Sequence, residues 1–90
     1  MIRKRIVFYG KVQGVGFRYH ARYAAGFCGC TGWVRNDRNG SVTMEIQGTE
    51  EQIDKVLLAL KRERYIRIEN MDVKDVSVNE SEQGFRTVYD

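Results

Sequence analysis

The segment Gly10-Lys-Val-Gln-Gly-Val-Gly-Phe-Arg18 is where this chain could do chemistry. A β-branched and aromatic stretch before it reads as a strand, and a helical apolar period begins after it, so two glycines and an arginine fall at a strand-to-helix turn. Such a turn can aim successive backbone N–H groups into one concavity, at a helix terminus whose dipole already favours negative charge. Arg18 adds a planar fork of donors that matches phosphate oxygens. The chemistry on offer is therefore anion binding by main-chain amides and one guanidinium. This is no Walker A loop, because G-x-x-x-x-G-K-[ST] is absent, and G-x-G-x-x-G fails at its last glycine. Read without further context, the segment is equally an ordinary tight connection between strand and helix.

The familiar catalytic kits are missing. His20 is the single histidine, so neither a Ser-His-Asp arrangement nor a His-based metal shell can be built, and a solvated or structural histidine on the flank of the first helix is the expectation. Cys28 and Cys30, separated by one glycine, supply half a zinc shell and read as structural thiols. Glu50 with Glu51 suits a helix N-terminus, and Asp72 with Asp75 a strand surface, so both pairs read as solvated faces.

The elements that must position the turn can be read along the chain. Residues 5–12 place Ile6, Phe8 and Val12 on one pleat face of a buried strand, and Gly10 on that face signals a close neighbour or a bulge. From Phe17 the apolar residues Phe17, Ala21, Ala24 and Cys28 recur at helical spacing, with Gly29 placed as the left-handed terminator. Gly26 lies inside that helix at a cost of about 1 kcal/mol relative to Ala, for no reason visible in the sequence. Strand-like runs at 31–37 and 41–47 flank Arg38-Asn39-Gly40, a hairpin signal. In the second run Val42, Met44 and Ile46 alternate with Thr43, Glu45 and Gln47, predicting one dry face and one wet face. Thr49-Glu-Glu-Gln52 forms a capping box ahead of Ile53, Val56, Leu57 and Leu60. A strand over 71–78 and a short edge strand over 85–89 complete the order β-α-β-β-α-β. That order predicts an α+β, ferredoxin-like fold: an antiparallel sheet with both helices on one face.

Ninety residues, 42% hydrophobic and 30% charged with no proline, fit a single domain spanning residues 1–90. The net charge of +3 suits an anionic small molecule and falls far short of a nucleic-acid-binding stripe. No apolar run approaches membrane-spanning length, and the first residues lack the apolar core and cleavage site of a signal peptide. A cytoplasmic monomer with no nucleic-acid or membrane partner is the expectation.

Two patterns extend this reading. Gly10-x-Val-Gln-Gly-Val-x-Phe-Arg18 and Gly32-Trp-Val-Arg-Asn36-x-x-x-Gly40-x-Val42-x-x-x-x-x-Gly48 stand in order and ungapped, and together they resemble the two signatures of the acylphosphatases. The resemblance covers nearly the whole chain and includes the element order. It implies hydrolysis of a small acyl phosphate to a carboxylate and inorganic phosphate without metal or cofactor. Arg18 would bind the phosphoryl group and Asn36 would position the attacking water. Gln13, Gly14, Val15, Gly16, Phe17 and Arg18 would form the substrate-binding loop, the last five through their N–H groups. Few polar groups are expected around the acyl half, so broad acceptance of acyl groups follows. Trp33 reads as a core or sheet-face anchor, Tyr19, Tyr23 and Phe27 as partly exposed packing, and Lys11 and Arg35 as solvated charges flanking the site. Two rivals use the same fold. An RNA-binding sheet needs aromatic residues that Val42-Thr-Met-Glu-Ile46 does not offer. A domain that binds an acyl phosphate without turnover, or works inside a larger enzyme, shares the motifs.

Overall fold

The computed structural model describes residues 1–89. Its elements run β1 (Ile2–Lys11), α1 (Phe17–Cys28), β2 (Thr31–Asn36), β3 (Val42–Gly48), α2 (Glu50–Arg62), β4 (Arg67–Val76) and β5 (Phe85–Thr87). The strands form one sheet in the order β4-β1-β3-β2-β5. β1, β2, β3 and β4 pair antiparallel, as the ferredoxin-like order demands.

The fifth strand departs from the all-antiparallel expectation, because β5 lies parallel to β2 with Gly32 opposite Phe85 and Val34 opposite Thr87. The register explains it. Val76 pairs with Arg3, Arg3 with Gln47 and Gln47 with Thr31, so β4 ends on the row of the sheet where β2 begins. The chain crosses that row and runs up the free edge in the direction of β2. β1 and β4 also begin earlier than the sequence suggests, at Ile2 and Arg67, and β5 stops at Thr87.

One face of the sheet meets both helices. Ile6, Phe8, Val34, Met44 and Ile46 are fully buried there against Ala21 and Ala25 of α1 and Ile53, Val56 and Leu60 of α2. Alanines at the contact let α1 sit close to the strands. The apolar stripe of α1 turns through Ala25 rather than ending at Cys28, which is half-buried, and Cys30 takes the core position just beyond the helix. Both thiols are free, and burial, aided by the nearby Cys28, pushes the Cys30 thiol up to about 11. Gly29 terminates α1 in the left-handed conformation, and Thr49 and Gln52 close the expected capping box on α2. Gly10 proves to be both a bulge and a close approach, since a Cβ there would collide with the Arg67 carbonyl.

The opposite face is not the wet surface that the alternation in β3 suggests. Thr43 and Gln47 are buried, and so is Arg3. The crossing between β4 and β5 covers this end of the sheet: Gln47 Nε2 donates to the Asn79 carbonyl at 2.9 Å, and Asn79 N–H donates back to Gln47 Oε1 at 2.8 Å. Arg3 then spends its donors on Glu45 Oε1 (2.8 Å), Gln47 Oε1 (3.1 Å) and both oxygens of Glu82 (2.7 and 3.2 Å). The Glu82 hydrogen bond, acting against burial, holds the Arg3 guanidinium above its ordinary range. Burial opposes the ionised Glu82, but the Arg3 hydrogen bond and the charges of Arg3 and Arg86 outweigh it and hold the carboxyl below the ordinary glutamate range. Among the described residues no helix is long and apolar enough to cross a membrane.

Candidate active site

The turn between β1 and α1 is held at both ends by buried apolar side chains. Val12 and Phe17 are buried, and the Phe17 ring meets Phe8 with centroids 4.8 Å apart. Between them Gly14 and Gly16 take φ of 72° and 80°, while Val15 keeps a negative φ. That alternation makes successive N–H groups converge. At Gly14 a Cβ would meet nothing within 4 Å, so the backbone angle, not crowding, calls for glycine. Gly16 is also the N-cap of α1, with no side-chain cap and no acidic residue in the first turn. The first helical bond runs from His20 N–H to the Gly16 carbonyl at 3.0 Å. Among the described residues, nothing accepts from the N–H groups of residues 14–19. A helix terminus left this bare is a prepared anion site.

These amides open into a cleft of about 270 Å³, whose lining includes Gly14, Gly16, Phe17, Arg18 and Asn36. Arg18 is half-buried, and its guanidinium lies 5.4 Å from the centre of the Tyr89 ring. No carboxylate among the described residues pairs with it, so its donors remain available. Asn36 closes β2 opposite Val42, and its side chain forms no hydrogen bond among the described residues. An amide that can donate to an oxyanion and accept from water thus faces the same space as the guanidinium.

The support beneath Asn36 is dense. Gln13 Nε2 donates to the Asp37 carbonyl at 2.7 Å and to the Ser41 carbonyl at 2.9 Å, tying the turn to the β2–β3 hairpin. Asp37 Oδ2 accepts from Ser41 Oγ (3.0 Å) and Thr43 Oγ1 (2.6 Å), and Oδ1 accepts from Arg35 Nε (3.1 Å). Burial works against the Asp37 charge, but hydrogen bonds from Thr43, Ser41 and Arg35 prevail and hold it below the ordinary aspartate range. The hairpin itself closes by Gly40 N–H to the Asp37 carbonyl, with Gly40 at φ 94°.

The structure therefore brings Gly14, Gly16, Phe17, Arg18 and Asn36 to one cleft. It gives Gln13 a different task from the one the sequence suggested, since its side chain is committed to hairpin carbonyls. Val15 packs against the core, and its side chain does not line the cleft. Lys11 is exposed outside the lining, and Arg35 is engaged by Asp37. Trp33 is a sheet-face anchor under the guanidiniums of Arg5 and Arg35, at 5.8 and 5.2 Å from its ring. His20 Nδ1 sits 3.4 Å from Glu63, and its ring lies beside Gly16 and Tyr19 without itself lining the cleft. Sequence reasoning missed Tyr19, Arg22, Thr87 and Tyr89 in the lining. Arg22 carried a signal, because it follows Arg18 by one helical turn. Thr87 and Tyr89 carried none, since they arrive through the pairing of β5 with β2.

A ferredoxin-like fold whose β1–α1 turn gathers unaccepted amides and an arginine with spare donors in one cleft has the chemistry to bind an anion. The chain's similarities name its family. A family model described as Acylphosphatase matches residues 4–87. The acylphosphatase of Clostridium acetobutylicum is 37% identical over 90 residues, covering 99% of each chain. The crystal structure of the acylphosphatase from Bacillus subtilis superposes with a TM-score of 0.90 at 31% identity, covering 99% of this chain and 100% of that one. Full-length HypF, solved in a phosphate- and nucleotide-bound form, matches 98% of this chain with 12% of its own length, at a TM-score of 0.83 and 27% identity. The chain belongs to the acylphosphatase family of hydrolases.

Proposed function

We propose that this enzyme hydrolyses small acyl phosphates without a metal ion, with Arg18 and the amides of residues 14–18 holding the phosphoryl group and Asn36 orienting the attacking water. The observation that carries this reading is the set of donors left without acceptors in one cleft: the N–H groups after Gly14 and the guanidinium of Arg18.

The chemistry asks for little more. Phosphoryl transfer needs positioning and stabilisation of charge on the equatorial oxygens, which a fixed cradle of amides and one arginine supplies without reorganising. Water attacks phosphorus in line with the leaving oxygen; the P–O bond to the acyl group breaks, and the carboxylate leaves with the electron pair. A carboxylic acid has a pKa of about 4, so the leaving group departs unprotonated at neutral pH and no general acid is required. The proton of the attacking water passes to a phosphate oxygen. Asn36 accepts a hydrogen bond from that water and donates to the phosphoryl group, a role of orientation rather than proton removal.

Benzoyl phosphate hydrolysis in the presence of EDTA tests this directly. Turnover should persist in EDTA and fall at least about 1,000-fold in Arg18→Ala, in keeping with loss of a main oxyanion donor. Asn36→Ala should lower kcat by about 100-fold with KM little changed. Metal-dependent turnover, or near-normal rates in either variant, would overturn the assignment.

A further inference from the structure

Arg22 is the group in the cleft that this mechanism leaves unused. It follows Arg18 by four residues on α1 and lines the same cleft. Residues at that spacing stand on one helix face, about 6 Å apart along the axis. Two guanidiniums so placed repel each other, and a helix surface ordinarily relieves this with an acidic neighbour. None is present among the described residues: no Asp or Glu of residues 1–89 lines the cleft, and the first turn of α1 has no acidic residue. Arg22 makes no ion pair or hydrogen bond among the described residues, which it shares with other surface basic residues such as Lys11, Arg38 and Lys74; what sets it apart is its place in the lining of the cleft beside Arg18.

We propose that Arg22 is a specificity-determining residue that selects acyl phosphates whose acyl portion carries a second negative charge, a carboxylate or a further phosphate. This inference rests on the hydrolase reading above and narrows it. Arg22 borders both the cleft and the hollow beside Tyr23 and Phe85, so with the phosphoryl group held at the turn an acyl portion directed along α1 would meet it. Both side chains line the one cleft from neighbouring turns of the helix, so a single small dianionic substrate can touch both. A second anion there forms a charge-assisted hydrogen bond and removes the repulsion between the arginines. The acyl half therefore does meet a polar group, contrary to the broad acceptance inferred from the sequence.

The test compares kcat/KM for succinyl phosphate and acetyl phosphate, which differ by an acyl carboxylate, in the natural protein, Arg22→Gln and Arg22→Lys. The natural protein should prefer succinyl phosphate, with the preference shrinking as ionic strength rises. In Arg22→Gln the ratio of succinyl to acetyl phosphate should fall about tenfold, the effect of one hydrogen bond to a charged group, and Arg22→Lys should recover part of it. An unchanged ratio in Arg22→Gln would overturn the proposal while leaving the hydrolase reading intact. Hydrolysis of neither substrate by the natural protein would overturn the hydrolase reading and this inference with it.

Discussion

Arg3 and Arg18 stand in the same domain and do opposite things. Arg3 spends its guanidinium on Glu45, Gln47 and both oxygens of Glu82, with the Arg3 and Glu82 side chains each only 4% exposed. Arg18 touches one aromatic ring and keeps its donors. The folded chain has already satisfied the first arginine, whereas the second keeps donors that an anion can take. The backbone repeats the contrast. At the Arg3 end, Gln47 and Asn79 exchange hydrogen bonds, while at the Arg18 end the amides of the turn have no acceptor among the described residues. A guanidinium with spent donors holds the fold; one with unspent donors inside a cleft is available to a ligand.

The comparison breaks if the two arginines respond alike to removal. Arg18→Ala should cost at least about three orders of magnitude in kcat/KM while leaving the thermal midpoint near that of the natural protein. Arg3→Ala should instead destabilise by about 3–5 kcal/mol, because Glu82 is left buried without its partner, and the folded fraction should retain its activity. Chemical denaturation paired with a turnover assay separates these outcomes.

Next in size comes the tie between the two halves of the cleft. Gln13→Leu removes both hydrogen bonds to the hairpin carbonyls and leaves those carbonyls short of a donor. We expect a loss of about 1–3 kcal/mol in stability and about tenfold in kcat, with inorganic phosphate still bound, since the variant loosens Asn36 against the cradle without removing a phosphate donor.

Acid titration sharpens the comparison further. Glu82 and Asp37 are both held below their ordinary ranges. A depressed carboxylate stabilises the fold above its unfolded pKa, about 4.3 for Glu and 3.9 for Asp, and that contribution disappears as pH falls through the lower folded value. Denaturation midpoints should therefore drop below about pH 4, and the drop should be shallower in Glu82→Gln. The smallest effect is expected at Gly26, where a Cβ would meet nothing within 4 Å. Gly26→Ala should raise stability by about 0.5–1 kcal/mol with no change in activity, which makes that glycine a cost without a structural return.

How much of this was legible in the sequence follows from how local each feature is. The turn of residues 13–18, the hairpin at Arg38-Asn39-Gly40 and the capping box of Thr49 and Gln52 each depend on a few neighbouring residues, and all three form where the sequence places them. The parallel docking of β5 depends on where β4 happens to end, and a strand of three residues has no period to betray it. The fate of Arg3 was hidden for the same reason. Nothing local separates Arg3 from its basic neighbours Lys4 and Arg5, yet the crossing that carries Asn79 and Glu82 folds over Arg3 alone and leaves Arg5 exposed. Gln13 shows the limit within a motif: its identity was readable, but the direction of its side chain was set by a hairpin more than twenty residues away.

The central claim is that the bare amides of the turn, together with Arg18, take up a phosphoryl group without help from a metal. Titration of inorganic phosphate into ¹⁵N-labelled protein in EDTA addresses it most directly. The account predicts saturable shifts confined to the amides of residues 14–19 and the Arg18 and Asn36 side chains, weakened at least tenfold in Arg18→Ala. Shifts that fail to saturate, or that map to another part of the molecule, would contradict it.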